Sequence, residues 1–174
     1  MSRAGALAII VAAIIFPACG SSGSVIPAEV VCGTREPALT SFSAPGVISM
    51  RAYWSRLQDG SSRLYQLRES LRRTYPEDTF YRRDAFRPDF VAYADASICL
   101  ARELLAIARL PAQDDAFTAN LISALEAFIA HSEAGREAIR TRNVSAYRDW
   151  YSGVDGQLAA VVATARRQSP STSP

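Results

Sequence analysis

Apolar side chains recur every three or four residues along four stretches of this chain. Such spacing places them on one face of a helix. The first stretch begins at Met50 and ends before Pro76, and the second begins at Pro88. Pro111 separates the second stretch from the third, and a short break near Asn143 separates the third from the fourth. The spacing therefore predicts four amphipathic helices of roughly 21 to 29 residues each.

Two of the three connections between these helices are short, which is typical of helices that pack antiparallel to their neighbours in sequence. No stretch alternates between apolar and polar residues over the length of a strand, so we expect no sheet. We predict an all-α fold, an antiparallel four-helix bundle over residues 47–168, preceded by an extended N-terminal tether. The polar, proline-containing end at 169–174 is predicted to be a disordered tail.

Composition excludes several classes of function. The 174 residues include 19 arginines, no lysine, 17 acidic residues, one histidine and three cysteines, with a net charge of +2. So small a net charge argues against nucleic-acid binding driven by overall charge. A single histidine argues against a zinc site of the usual His/Cys type, which needs three or four protein ligands.

The N-terminal residues have the pattern of an export signal. Arg3 precedes an unbroken apolar run at 6–16, which is shorter than the roughly 20 residues that cross a bilayer. A charged start, a short apolar run and then small residues are the parts of a signal peptide, which we place at 1–18. The run leads into Phe16-Pro17-Ala18-Cys19.

This segment resembles the lipobox of bacterial lipoproteins, and the resemblance covers residues 1–24. It implies cleavage before Cys19 and attachment of a diacylglyceryl group to the Cys19 thiol, which would anchor the protein to a bacterial cell membrane outside the cytoplasm. The Gly- and Ser-rich residues that follow suit a flexible tether, and we assign 19–46 to a lipidated tether or strap. The alternative is an ordinary secretory signal with an incidental cysteine.

The other two cysteines, Cys32 and Cys99, form an even pair in a chain predicted to be exported. Such a pair is typical of a disulfide. Closing a loop of this length would stabilise the fold by about 4 kcal/mol in the chain-entropy model. Two unpaired thiols are the alternative.

His131 is the one candidate ligand for a metal or haem in the bundle interior. The pattern places no methionine beside it as a second haem ligand, and no Glu-x-x-His motif accompanies it. The competing interpretation is a histidine at the edge of the apolar face, packed among small residues. We therefore predict no cofactor.

Charge is distributed unevenly along the chain. Residues 51–87 carry nine arginines and five acidic residues, whereas 88–139 carry three and eight, and 140–174 carry five and two. Six arginines of the first block form a candidate patch for anionic headgroups or polyanions: Arg68, Arg72, Arg73, Arg82, Arg83 and Arg87. The alternative is a solvated surface with internal ion pairs.

These observations favour a membrane-anchored envelope lipoprotein with a non-enzymatic interaction or scaffold role. Its expected partners are the membrane, through Cys19, and an envelope protein, with no nucleic acid. No nucleophile motif, phosphate-binding loop or metal cluster is present in the sequence, so we predict that the chain is not an enzyme. The alternative function is a small-ligand, haem or metal carrier that uses the bundle interior.

Overall fold

The computed structural model describes residues 50–77, 79–109 and 116–166, which form four long helices. The α-helices are α1 at Met50–Thr74, α2 at Phe86–Ala108, α3 at Ala116–Arg140 and α4 at Val144–Arg166. A 3₁₀ turn, Phe80–Arg82, lies between α1 and α2. These ranges contain no strand, so the all-α prediction is confirmed.

Contacts between consecutive helices show that they run antiparallel. Gly60 in the first half of α1 packs against Leu104 near the end of α2, and Gly135 late in α3 packs against Trp150 early in α4. Helix α2 also packs against α3, and α4 returns to pack against α1. The four helices therefore close a ring in chain order, which confirms the predicted bundle.

Aromatic side chains fill the end of the bundle where α1 ends and α2 begins. Phe80 of the 3₁₀ turn is only 2% exposed, and its ring centroid lies 4.3 Å from that of Phe86. Phe80 also meets Tyr147 of α4, with 5.9 Å between ring centroids. Burying such a ring contributes about 2 kcal/mol or more, so Phe80 anchors the connection between α1 and α2. This anchoring fixes the positions of Tyr81 and Arg82, the next two residues.

A glycine permits close packing between α3 and α4. A Cβ atom at Gly135 would lie 2.4 Å from Cδ1 of the Trp150 indole, well inside van der Waals contact. Trp150 is 2% exposed, and its ring packs edge-on against Phe90 with 4.6 Å between centroids. The missing side chain at Gly135 therefore provides the space that a buried indole occupies.

Surface ion pairs join α2 to α3. Arg102 Nη2 lies 2.6 Å from Glu133 Oε1, and Arg109 pairs with Glu126 near the other end of the same interface. Both pairs are at least one-third exposed, so each contributes little to stability. Their order along the two helices agrees with antiparallel packing.

Several predictions concern residues outside the described ranges. These are the lipobox with Cys19, the tether at 19–46, Cys32 and the tail at 169–174. Cys99 lies on the exposed side of α2, but the Cys32–Cys99 bridge stays a prediction. No helix in the described ranges combines the length and the hydropathy that a bilayer span requires.

Candidate functional site: an arginine-lined cleft

A cleft opens at the end of the bundle where α2 begins and α3 turns into α4. Its volume is about 320 Å³, at the lower end of the range for small-molecule sites. We call it the arginine cleft. Its polar lining consists of Tyr81, Arg82, Arg87, Arg142 and Asn143. Its apolar lining consists of Phe86, Ala138, Ile139, Val144 and Tyr147.

The three arginines reach the cleft from three different parts of the chain. Arg82 ends the 3₁₀ turn, Arg87 lies in the first turn of α2, and Arg142 lies between α3 and α4. All three are exposed. None of them has a carboxylate within ion-pair distance among residues 50–77, 79–109 and 116–166. The cleft therefore carries positive charge that no acidic side chain of the described chain neutralises.

Arg142 has a backbone conformation that usually belongs to glycine. Its φ is 57°, in the left-handed region that costs a residue with a Cβ atom roughly 1 kcal/mol. The conformation closes a Schellman motif at the end of α3, in which Asn143 N donates to Ala138 O at 2.8 Å and Arg142 N donates to Ile139 O at 3.3 Å. An arginine at this position lowers the stability of the folded protein, compared with glycine, and adds a cation to the cleft.

The N-terminus of α4 forms another part of the cleft wall. The Asn143 side chain caps the helix, because its Oδ1 accepts a hydrogen bond of 3.1 Å from the backbone N–H of Ala146. The helix dipole places partial positive charge at this end. The positive end of the helix dipole thus lies beside the three guanidinium groups, and it adds to their attraction for an anion.

Tyr81 responds to the positive charge around the cleft. The pKa of its phenol is lowered, mainly because Arg82 donates a hydrogen bond to the phenolic oxygen, and Arg148 acts in the same direction. The Arg82 guanidinium carbon lies 5.7 Å from the Tyr81 ring centroid. Tyr81 thus interacts with the Arg82 guanidinium through both its aromatic ring and its hydroxyl group. These two interactions limit the positions that the guanidinium can adopt.

The structure divides the predicted six-arginine patch. Arg82 and Arg87 line the arginine cleft. Arg73 and Arg83 are exposed outside its lining, and Arg72 pairs with Glu69 on its own helix at 3.3 Å. The patch as an anion-binding surface stays a prediction.

Arg68 requires a correction, because it does not belong to any surface patch. Its side chain is 2% exposed, and its Nε lies 2.7 Å from Asp155 Oδ1 on α4. A second hydrogen bond joins Arg68 Nη2 to Asp155 Oδ2 at 3.3 Å. The guanidinium carbon also lies 5.6 Å from the Trp150 ring centroid and 5.4 Å from that of Tyr151. Arg68 is therefore an internal link between α1 and α4.

The pKa of Arg68 reflects this pairing. Burial alone would lower it, but the hydrogen bond to Asp155 and the Coulombic interactions with Tyr93, Asp155 and Tyr151 together outweigh burial, so the pKa is raised. The pKa of the buried Tyr93 phenol is raised to about 12, chiefly by desolvation. Arg68 therefore stays charged inside the bundle at any pH at which the protein is folded.

His131 is half-buried on α3 and is held by α4. Its Nε2 lies 2.9 Å from the backbone oxygen of Trp150. Because a carbonyl oxygen only accepts, Nε2 is the donor, and its lone pair is not available to a metal. The imidazole also packs over Gly153, where a Cβ atom would lie 2.8 Å from His131 Cε1.

No cluster of three or more His, Cys, Asp or Glu side chains suited to a metal ion occurs in the part of the chain that the structure describes. The carrier function with His131 as ligand stays a prediction.

Three comparisons, with protein-family models, with curated proteins and with solved structures, found no match to this chain.

Sequence reasoning missed Arg142 as a member of the site. It lies 55 positions after Arg87, and only the packing of the α3–α4 turn against the start of α2 brings the two into one cleft. One sequence signal was present: Arg142 stands in the short break near Asn143, where glycine is usual after the end of a helix.

Proposed function

We propose that this chain is a lipid-anchored bacterial envelope protein whose bundle is a non-enzymatic binding module for an anionic partner. The observation that carries the proposal is the arginine cleft, in which three arginines without carboxylate partners in the described chain surround one opening. The side chains that line it are guanidinium, phenol, amide and hydrocarbon groups. Such groups bind anions and apolar surfaces.

The anchor is the part of the proposal that the lipobox supports. Two or three acyl chains on one cysteine give stable attachment, whereas a single chain is marginal. Helix α1 begins at Met50 and is about 37 Å long at 1.5 Å per residue. The arginine cleft lies at the opposite end of the bundle from Met50, where α1 begins.

The disulfide is a further part of the proposed envelope assignment. Cys99 lies on the exposed side of α2, where a segment that crosses the bundle surface can reach it. A bridge to Cys32 would tie the tether to the second helix, in a compartment where disulfides persist.

Replacing Cys19 with serine is expected to release the protein from the membrane. The full-length gene is expressed in a bacterial host, and membrane and soluble fractions are separated and probed. Wild-type protein should remain in the membrane fraction and incorporate labelled fatty acid, whereas Cys19→Ser should do neither, because the acyl chains have no thiol to join. Cys32→Ser removes a cysteine outside the lipobox and should behave as wild type. Unchanged membrane retention and labelling of Cys19→Ser would refute the anchor.

Anion binding is expected to depend on the arginine cleft. Full-length protein in a neutral detergent is titrated calorimetrically with inorganic phosphate, benzoate and phenyl phosphate at low and high salt. At least one anion should bind, and it should bind more weakly at high salt. The double variant Arg82→Gln/Arg87→Gln should weaken the affinity for that anion about tenfold or more. The double variant Arg63→Gln/Arg166→Gln loses the same charge at exposed positions outside the cleft. Equal binding by the two double variants would contradict the proposal.

A further inference from the structure

We propose that the arginine cleft binds a phosphate ester that carries an apolar ring or chain. This inference rests on the proposed anion-binding function and deepens it, because it names the chemical class of the ligand. Two features of the cleft support it independently: the amount of positive charge, and the apolar surface that adjoins the charge.

The positive charge exceeds what a single carboxylate needs. Arg82, Arg87 and Arg142 can each present a fork of N–H donors, and the N-terminus of α4 at Val144 adds the positive end of a helix dipole. A phosphate monoester carries close to two negative charges at neutral pH and has three terminal oxygens that accept hydrogen bonds. A carboxylate has one charge and two oxygens. The donor set of the cleft therefore matches a phosphate group better.

The apolar surface adjoins these donors. Phe86 and Tyr147 belong to the cleft lining, where their side chains are 0% and 1% exposed. Val144 is 40% exposed, although large apolar side chains are usually covered in a bundle. A ligand that has only charge, such as free phosphate or a polyanion, would leave the exposed part of the Val144 side chain in water. An ester with a hydrocarbon group would cover it.

The size and location of the cleft limit the ligand. A volume of about 320 Å³ accommodates one phosphate group with a ring or a short length of chain. The α3–α4 turn also sets Arg142 in a strained conformation beside the opening. Strain of this kind is retained where the surrounding structure needs that residue in that place.

Arg142→Gly separates binding from folding. Glycine adopts a φ of 57° without a steric penalty, so the variant should melt at a higher temperature than wild type while it loses one cleft arginine. Weaker binding by a more stable protein cannot come from unfolding. Arg166→Gln, at the last residue of α4 and the other end of the bundle, is the control for net charge.

The test compares three probes on full-length protein in a neutral detergent by isothermal titration calorimetry. Phenyl phosphate should bind about tenfold more tightly than inorganic phosphate and about tenfold more tightly than benzoate. Arg142→Gly should weaken phenyl phosphate binding about tenfold and raise the melting temperature, and Arg166→Gln should bind as wild type.

A second arm distinguishes a membrane lipid from a soluble ester. Unanchored Cys19→Ser protein is floated with vesicles of phosphatidylcholine alone or with phosphatidic acid added. Flotation that needs phosphatidic acid and Arg142 identifies a lipid headgroup as the source, whereas calorimetric binding without flotation identifies a soluble ester. Both results support the inference.

The three probes distinguish a failure of the phosphate-ester inference from a failure of the proposed anion binding. Benzoate or inorganic phosphate that binds as tightly as phenyl phosphate overturns the phosphate-ester inference but leaves anion binding intact. Full binding of phenyl phosphate by Arg142→Gly overturns the inference as well. Failure of all three probes to bind overturns both the inference and the proposed function.

Discussion

Gly135→Ala is expected to destabilise the bundle by about 2–3 kcal/mol, which is the upper part of the range for overpacked cores. The added methyl group would lie 2.4 Å from Trp150 Cδ1 and 2.5 Å from Cγ. The indole cannot swing away, because Phe90 packs on it edge-on and the Arg68 guanidinium lies over it. Relief therefore requires α3 and α4 to separate, which loosens the whole interface.

Chemical denaturation monitored by circular dichroism measures this effect, and the matched control is Gly156→Ala on α4. A Cβ atom at Gly156 meets nothing within 4 Å, so alanine there should stabilise the helix by about 0.5–1 kcal/mol. The two Gly→Ala changes thus have opposite expected signs, although both raise helix propensity. A Gly135→Ala protein as stable as wild type would show that α3 and α4 do not approach as closely as described.

Asp155→Asn is expected to cost about 2 kcal/mol of stability at neutral pH. Removing one partner of a buried ion pair typically costs about 3–5 kcal/mol, because a buried charge is left uncompensated. The cost here is smaller because Asp155 is 58% exposed while Arg68 is 2% exposed, so water already screens the carboxylate. The stranded group is the Arg68 guanidinium, which cannot lose its proton.

This asymmetry gives a second expectation for the same pair. Arg68→Met should lower the free energy of unfolding less than Asp155→Asn does. Methionine fills the space with an apolar chain, and the exposed Asp155 carboxylate can be hydrated by water. Asp149→Asn, an exposed carboxylate on the same helix, should change stability by no more than about 0.5 kcal/mol. A larger loss in Arg68→Met than in Asp155→Asn would contradict the assignment of Arg68 as the group that depends on its partner.

The pH dependence follows from the same contact. The pKa of Asp155 is lowered from its ordinary value of 3.8, mainly by the hydrogen bond from Arg68 and against the effect of burial. The folded protein therefore binds this proton less readily than the unfolded chain. The contribution of the Asp155 carboxylate to the free energy of unfolding is therefore present above the unfolded-state pKa of 3.8. It is lost as the pH falls through the lower pKa that Asp155 has in the folded protein. Denaturation midpoints measured from pH 6 to pH 2 should fall less steeply in Asp155→Asn than in wild type.

The helices were predictable because the information that specifies them is local. Pro76 and Pro88 flank the connection between α1 and α2, and α2 begins at Phe86, two residues before the second proline, which lies in the first helical turn as expected. The 3₁₀ turn at Phe80–Arg82 was not predicted, since a three-residue turn leaves no periodic pattern. It matters because Phe80 anchors Tyr81 and Arg82 beside the cleft.

The burial of Arg68 had a sequence signal that the patch interpretation overlooked. Arg68 lies four residues after Leu64 and three before Leu71, so it shares the apolar face of α1. Counting arginines within a block of sequence ignores the face on which each one lies. Even with the face assigned, the sequence did not name Asp155, 87 residues away on α4, as its partner.

The amino-acid sequence by itself determined the number of helices, their approximate limits and the resemblance of residues 1–24 to a lipoprotein signal. Each of these depends on residues within a few turns of one another, where periodicity and proline act directly. The tertiary structure decided that Arg68 is internal, that Gly135 makes room for Trp150, and that Arg82, Arg87 and Arg142 surround one cleft. These outcomes depend on how far each helix is rotated and where its ends meet its neighbours. The packing of buried side chains sets that rotation, which a repeating apolar pattern leaves undetermined.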